Sequence, residues 1–218
     1  MSRQTAIDVR RARPSRQSRT SRRARAASRR TLGGLVVLGI VALLAVLIAS
    51  EVNHAVSRLG LPLTNADVIR KQAAEKHLDP ALIAAVIYAE SKFSPQQSSA
   101  GAEGLMQILP ETAYFIAHRS GGTQFTASDL ATPSINVAYG SYYLRYLLDH
   151  YDGNEMLAVA AYNAGLANVD RWVARAKANG GNLTVAEIPF PETQAYVERV
   201  LSAQQDYRSA YARQLGLD

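Results

Sequence analysis

Cysteine is absent from the 218-residue chain, which excludes disulfides and thiolate-held metals. Its four histidines, His54, His77, His118 and His150, are scattered, with no pair at ligand spacing and no HExxH. No metal centre and no cofactor is expected. No stretch alternates polar and apolar residues convincingly enough for a strand, and no internal repeat is visible. Charge is missing altogether from Leu32 to Ser50, LGGLVVLGIVALLAVLIAS. At the helical rise these nineteen residues reach about 28 Å, close to the hydrocarbon thickness of a bilayer.

What is present is unevenly spread. The formal net charge is +6 and the isoelectric point is near 9.7. Residues 1–30 hold eleven of the 24 Lys and Arg but only one of the 18 acids, Asp8. The remainder therefore carries thirteen basic residues against seventeen acidic ones. A slightly acidic body is joined to an Arg-, Ser- and Ala-rich tail, expected to be disordered. That tail lacks interleaved aromatics and any reading element, so no nucleic-acid partner is expected and its plain role is topology. A cleaved signal peptide is the rival reading of the apolar run. Against it, the basic segment is long, the run exceeds the usual length, and no A-x-A site closes it. We read residues 1–31 as a cytoplasmic tail and 32–50 as a single signal-anchor helix in the cytoplasmic membrane. Residues 51–64 are then a juxtamembrane linker, and 65–218 a domain on the extracytoplasmic side.

The outer domain reads as all-α, with helices expected near 65–77, 80–91, 104–119, 134–151, 154–164, 166–178 and 192–214. Pro110 falls at the first turn of the working part of the third. In the second, Asp79 caps and Pro80 takes the first helical position, where its missing N–H costs nothing. Leu82, Val86 and Glu90 then recur every four residues, which puts a carboxyl at the end of an apolar stripe. A carboxyl in such a place resists ionising and becomes a proton donor near neutral pH. Two further clusters hold more polar and small residues than a core requires. They are SSAGAEGLMQI (98–108) and AAYNAG (160–165). Glycines there let backbone approach a ligand, and Ser and Gln can hydrogen-bond sugar hydroxyls or amides. Each also fits a plain structural role, as a turn into a helix and as a helix end.

Taken together the motifs resemble one family. Glu90-Ser91-Lys92-Phe93-Ser94-Pro95, GAEGLMQILPETA (101–113), NVAYGSYYLRYLL (136–148), AAYNAG and IPFPETQAYV (188–197) follow in the order of the soluble, goose-lysozyme-like lytic transglycosylases. The resemblance covers residues 66–211. It implies a lysozyme-like helical fold with a glycan-binding groove acting on bacterial peptidoglycan strands. It also implies that Glu90 is the catalytic acid and that Met106 and Gln107 belong to the groove. Tyr143 and Tyr162 would line the cleft, with Asn163 following in the same motif and Glu192 bordering the groove. Two departures matter. The stretch from Glu90 to Gly101 is one residue short, so the family's active-site serine falls on Ser99 counted forward or Ser98 counted back. The tighter SxAG context favours Ser98, and both stay open. Leu109 also replaces a Met common in the family.

Glycoside hydrolysis ordinarily uses two carboxylates. Only Glu90 has a convincing setting, since Glu103, Glu111 and Asp129 each fit a helix start or a solvated face. One carboxyl is sufficient if the muramic C6 hydroxyl is the nucleophile, giving a 1,6-anhydro end. The alternatives are a hydrolytic muramidase of the same fold, using Asp129 or Glu192, and a non-catalytic peptidoglycan-binding module.

Overall fold

The computed structural model describes residues 60–122 and 124–217. The expected tail (1–31), anchor (32–50) and first part of the linker (51–59) lie outside the described residues. Among the described residues, no helix is long and apolar enough to cross a membrane.

The chain runs α1 (Ala66–Lys76), α2 (Pro80–Ser91), a hairpin of β1 (Gln96–Gln97) and β2 (Glu103–Gly104), α3 (Pro110–Ser120), a 3-10 turn (Ala127–Ala131), and α4 (Pro133–His150). It continues with α5 (Glu155–Ala164), α6 (Leu166–Ala178), a second 3-10 turn (Val185–Glu187), α7 (Pro191–Ala210) and α8 (Ala212–Leu215). The helical boundaries follow the sequence closely because capping and proline signals are local. Asp79 accepts the Ala81 N–H at 3.0 Å and Asn154 accepts that of Leu157 at 3.1 Å. Pro80, Pro110, Pro133 and Pro191 each open a helix.

Three differences from the sequence reading stand out. The third helix begins at Pro110 rather than near 104, because Gly104 and Gln107 take left-handed φ of 79° and 47° and turn the chain back on itself. The region is not all helix: Gln96 pairs with Gly104 and Gln97 with Glu103, antiparallel, and Glu103 bridges to Ile108. A ladder two residues long has too short a period to leave a pattern. Finally, residues 61–63, read as linker, are fastened to the domain. Tyr211 and Tyr207 donate to the carbonyls of Leu61 at 2.7 Å and Pro62 at 2.6 Å.

The centre of the domain is α2. Its residues from Pro80 to Ile87 are all buried, so it has no solvent face until its last turn. Helix α7 is its main partner. Asp79 secures the pair at one end, since its second oxygen receives Gln204 and Arg208, both at 2.7 Å. Helices α1, α4, α5 and α6 complete the packing around them.

Candidate active site

Glu90 is the penultimate residue of α2, where the buried helix reaches the surface and the side chain is half-buried. From α7, 106 positions further on, the Tyr196 hydroxyl donates to its Oε1 at 2.7 Å. Burial raises the Glu90 pKa to about 7. The Tyr196 hydrogen bond and the Arg199 charge both favour the carboxylate, but they do not overcome the loss of solvent. Since Oε1 accepts from Tyr196, the proton of the acid form belongs on Oε2. Tyr196 and Tyr162 are pushed well above the ordinary phenol range by burial and then by the charge of Glu90, so both remain neutral donors.

Phenylalanine at position 196 removes the one hydroxyl that favours the ionised form. The Tyr196→Phe variant is therefore expected to titrate Glu90 about one pH unit higher. A carboxyl ¹³C titration by NMR checks this, and an unchanged midpoint would refute the role given to Tyr196.

The chain just after Glu90 is held tightly. Lys92 and Phe93 are consecutive left-handed residues, at φ 51° and 61°, an arrangement costing on the order of 1 kcal/mol each. Phe93 packs against Tyr207, with ring centroids 5.9 Å apart. The Ser91 hydroxyl donates to the Leu105 carbonyl at 2.8 Å. This couples the acid-bearing helix to the GLMQ segment.

That segment is clamped from below by Asn136, a fully buried residue at the start of α4. Its Oδ1 accepts from the Met106 N–H at 2.8 Å, and its Nδ2 donates to the carbonyls of Glu103 at 2.7 Å and Leu130 at 3.1 Å. Gly104 lies so close that a Cβ there would meet Asn136 Nδ2 at 2.3 Å. The glycine of GLMQ thus serves this clamp as well as the turn.

The residues expected in the site fall into three groups. Glu90, Tyr162 and Tyr143 come together: Tyr162 feels the Glu90 charge, and its ring lies 5.5 Å from that of Tyr143. Asn163 and Glu192 also meet, at a cleft of 390 Å³ completed by Ala164, Phe190, Pro191 and Thr193. There the Thr193 hydroxyl donates to Asn163 Oδ1 at 2.7 Å. The others serve the loop. Met106 was expected in the groove, but its side chain is fully buried against Gly140, and only its carbonyl, accepting from Tyr162 at 3.0 Å, faces the site residues. Gln107 donates its amide to the Gln96 and Gly104 carbonyls at 2.7 and 2.9 Å, leaving Oε1 as its free polar atom. Ser98 Oγ accepts the Ala102 N–H at 3.0 Å in the hairpin loop, with its own hydrogen still available. Ser99 is exposed on the same loop, and neither hydroxyl bonds to Glu90.

Tyr196 and Asn136 were missed by sequence reasoning. Within PETQAYV the carboxylate Glu192 drew attention, yet it is exposed, while Tyr196 one turn later reaches Glu90. A signal did exist: Tyr196 is a polar-tipped aromatic on the buried stripe of α7, with Thr193, Val197 and Val200.

The fold that carries these residues is shared with known proteins. The family model of the transglycosylase SLT domain matches residues 67–185. The soluble lytic murein transglycosylase of Escherichia coli K12 is 31% identical over 150 residues, covering 67% of this chain and 23% of that protein. A Haemophilus influenzae protein named as a candidate enzyme of the same type is 39% identical over 161 residues, 71% of this chain and 27% of its own length. The chain thus spans about a quarter of the length of these relatives. The crystal structure of the 70 kDa soluble lytic transglycosylase from Escherichia coli superposes with a TM-score of 0.63 at 30% identity, over 68% of this chain and 24% of that one. Its complex with bulgecin A gives 0.62 at 31% identity over the same shares. With more than half its length under the family model, the chain belongs to the transglycosylase SLT domain family.

Proposed function

We propose that this protein is a membrane-anchored lytic transglycosylase of peptidoglycan, cleaving the β-1,4 bond between N-acetylmuramic acid and N-acetylglucosamine with Glu90 as acid and then base. The observation that carries the reading is the lone carboxyl of Glu90, held near neutrality by burial and oriented by Tyr196. The groups whose hydrogen bond or charge acts on it are Tyr196 and Arg199, with no second carboxylate among them. Asp129 is occupied by its own turn, accepting from the Thr126 N–H at 2.7 Å. Glu192 is exposed at the start of α7. Among the described residues no second carboxylate is seen acting on Glu90, which favours a reaction that needs only one. The solved and curated relatives named above bear lytic transglycosylase names, which supports the same reading.

In the proposed reaction Glu90 gives its Oε2 proton to the glycosidic oxygen as the C1–O bond breaks. The resulting carboxylate takes the proton from the muramic C6 hydroxyl while O6 bonds to C1. A 1,6-anhydro ring forms, no water is consumed, and Glu90 ends protonated as it began. A pKa near 7 suits a group that must both give and take a proton. Tyr143, Tyr162, Asn163, Glu192, the free Gln107 oxygen and the Ser98–Ser99 loop would hold the strand, positioning the reacting ring.

Residues 32–50 would anchor the protein in the cytoplasmic membrane, with residues 1–31 in the cytoplasm and the domain on the cell-wall side. The support is the uncharged run and the Arg-rich segment before it. Ten residues, 51–60, separate that run from Leu61, the first residue fastened to the domain. Fully extended they span at most about 35 Å, which confines the accessible substrate to membrane-proximal peptidoglycan.

The test is mass spectrometry of purified peptidoglycan incubated with the full chain or its Glu90→Gln variant. Muropeptides one water lighter than reducing ends, absent with the variant, are expected. Ordinary reducing ends would replace this reading with a hydrolase. Binding without products would leave a wall-binding module.

A further inference from the structure

A cleft of 430 Å³ lies at the opposite end of α5 from Tyr162 and Asn163, and the proposed chemistry makes no use of it. Its volume is in the range of small-ligand sites. It is lined by the turn from His150 to Asn154, by one stripe of α6, and by the loop at Asn182 and Leu183. The α6 stripe is Asp170, Val173 and Lys177, whose spacing keeps them on one face. Val173, Leu157 and Leu183 make the apolar part of the lining. Asp170 is anchored: its Oδ1 accepts from the Tyr151 hydroxyl at 3.0 Å and lies 3.0 Å from His150 Nε2. Burial and then Asp170 keep the Tyr151 pKa above the ordinary phenol range, so it stays a donor. Oδ2 is left without a partner among the described residues. Asp152, two residues after His150, adds a second acid to the lining. Two turns along α6 from Asp170, about 10 Å, Lys177 is exposed and makes no ion pair among the described residues. A tie between α4 and α6 accounts for the contacts of Oδ1. It does not account for a fixed carboxylate with an oxygen to spare and a free ammonium on either side of an apolar strip.

We infer that this cleft takes the stem peptide of peptidoglycan, laid along α6 with a free amine at Asp170 and a carboxylate at Lys177. The inference rests on the proposed glycan-cleaving function and adds what that reaction would ask of the peptides. A stem peptide is a short chain of mostly small residues that ends in a carboxylate. It also holds a diamino acid, whose second amine is free until it is cross-linked. An N-acetylated sugar offers no cation to Asp170. Opposite charges about 10 Å apart on one helix also set the direction in which the peptide lies. Cross-linking turns the amine into an amide and removes the charge that Asp170 meets, so uncross-linked stems are preferred. The cleft is within reach of a strand at the Glu90 site. Helix α6 begins at Leu166, directly after AAYNAG, and Asp170 lies about 6 Å along it.

The test measures affinity of the full chain carrying Glu90→Gln for peptidoglycan-derived tetrasaccharides in three forms. One bears uncross-linked stems, one bears the same stems acetylated on the free amine, and one is stripped of peptide. The first is expected to bind about three- to tenfold more tightly than the second, and the stripped form most weakly. Lys177→Ala is expected to weaken both peptide-bearing forms by a similar factor and to leave the stripped glycan unchanged, with Lys177→Arg restoring them. Asp170→Asn, which keeps an oxygen for Tyr151, is expected to abolish the preference for the free amine over the acetylated one. Three equal affinities, a Lys177→Ala loss that includes the stripped glycan, or preferences undiminished in both variants would overturn the inference. Failure of the parent reading would look different: none of the three forms would bind before Lys177 or Asp170 is touched, and the inference would fall with it.

Discussion

Under the proposed function, replacing Glu90 with glutamine is expected to slow cleavage of peptidoglycan by about 10²- to 10⁴-fold, the usual contribution of a positioned acid–base group, and to make the protein harder to unfold above pH 7. The two effects have one origin. The Glu90 pKa is raised by burial to about 7, against about 4.3 for glutamate in an unfolded chain. Below the unfolded value both states are protonated, so the amide and the acid are nearly equivalent and the variant gains little. As pH rises towards 7 the unfolded state loses its proton first, and the native state is progressively disfavoured. Above the folded value the handicap is complete, on the order of 3 kcal/mol, and glutamine escapes it. Its amide oxygen still accepts from Tyr196. Urea unfolding of both proteins at pH 4 and pH 8 checks the sign. Equal stability differences at the two pH values would show that ionisation of Glu90 is not the source.

Asn136→Ala is expected to destabilise the domain by about 3–5 kcal/mol, a large part of the stability of an ordinary domain. Two backbone groups lose their partner together, the Met106 N–H and the Leu130 carbonyl, and the Glu103 carbonyl keeps only the Ile108 N–H at 3.0 Å. No single amide is worth so much on average. The cost is high because the Met106 N–H and the Leu130 carbonyl are left unpaired in a buried place, and because the side chain is fully buried with Gly104 against it. Asn136→Asp offers no rescue, since a carboxylate would accept from Met106 but turn an oxygen towards the carbonyls of Glu103 and Leu130, where Nδ2 now donates. A urea midpoint that falls with an unchanged m-value would match the expectation. A loss below about 1 kcal/mol would mean that the segment from Glu103 to Met106 holds its shape without the clamp.

The contrast between these two residues explains what the sequence made legible. Glu90 announced itself through a helix it shares with Leu82 and Val86, and local spacing is enough to find such a residue. Helix α2 is nevertheless not a stripe but a helix buried all round, and Glu90 lies where burial ends rather than where a face ends. Asn136 gives no local sign. Its partners lie up to 33 positions away, and its importance comes from three backbone groups converging on one side chain. Tyr196 is hidden for the same reason, at 106 positions from Glu90. The hairpin and the late start of α3 were misread because Gly104 and Gln107 spend left-handed conformations on a reversal that periodicity does not register.

Helix α2 is the piece around which the rest is packed, and Ser91 ties its end to the GLMQ segment. The backbone that carries the acid is thus tied into the packing of the domain, and displacing it means giving up the Ser91 bond and the contacts of α2. Under the proposed function, the activity would be restrained more readily through access to the site than through movement of Glu90 itself. Such restraint would lie outside the fold, in what occupies the clefts, in how close a strand is brought, or in how many copies are made.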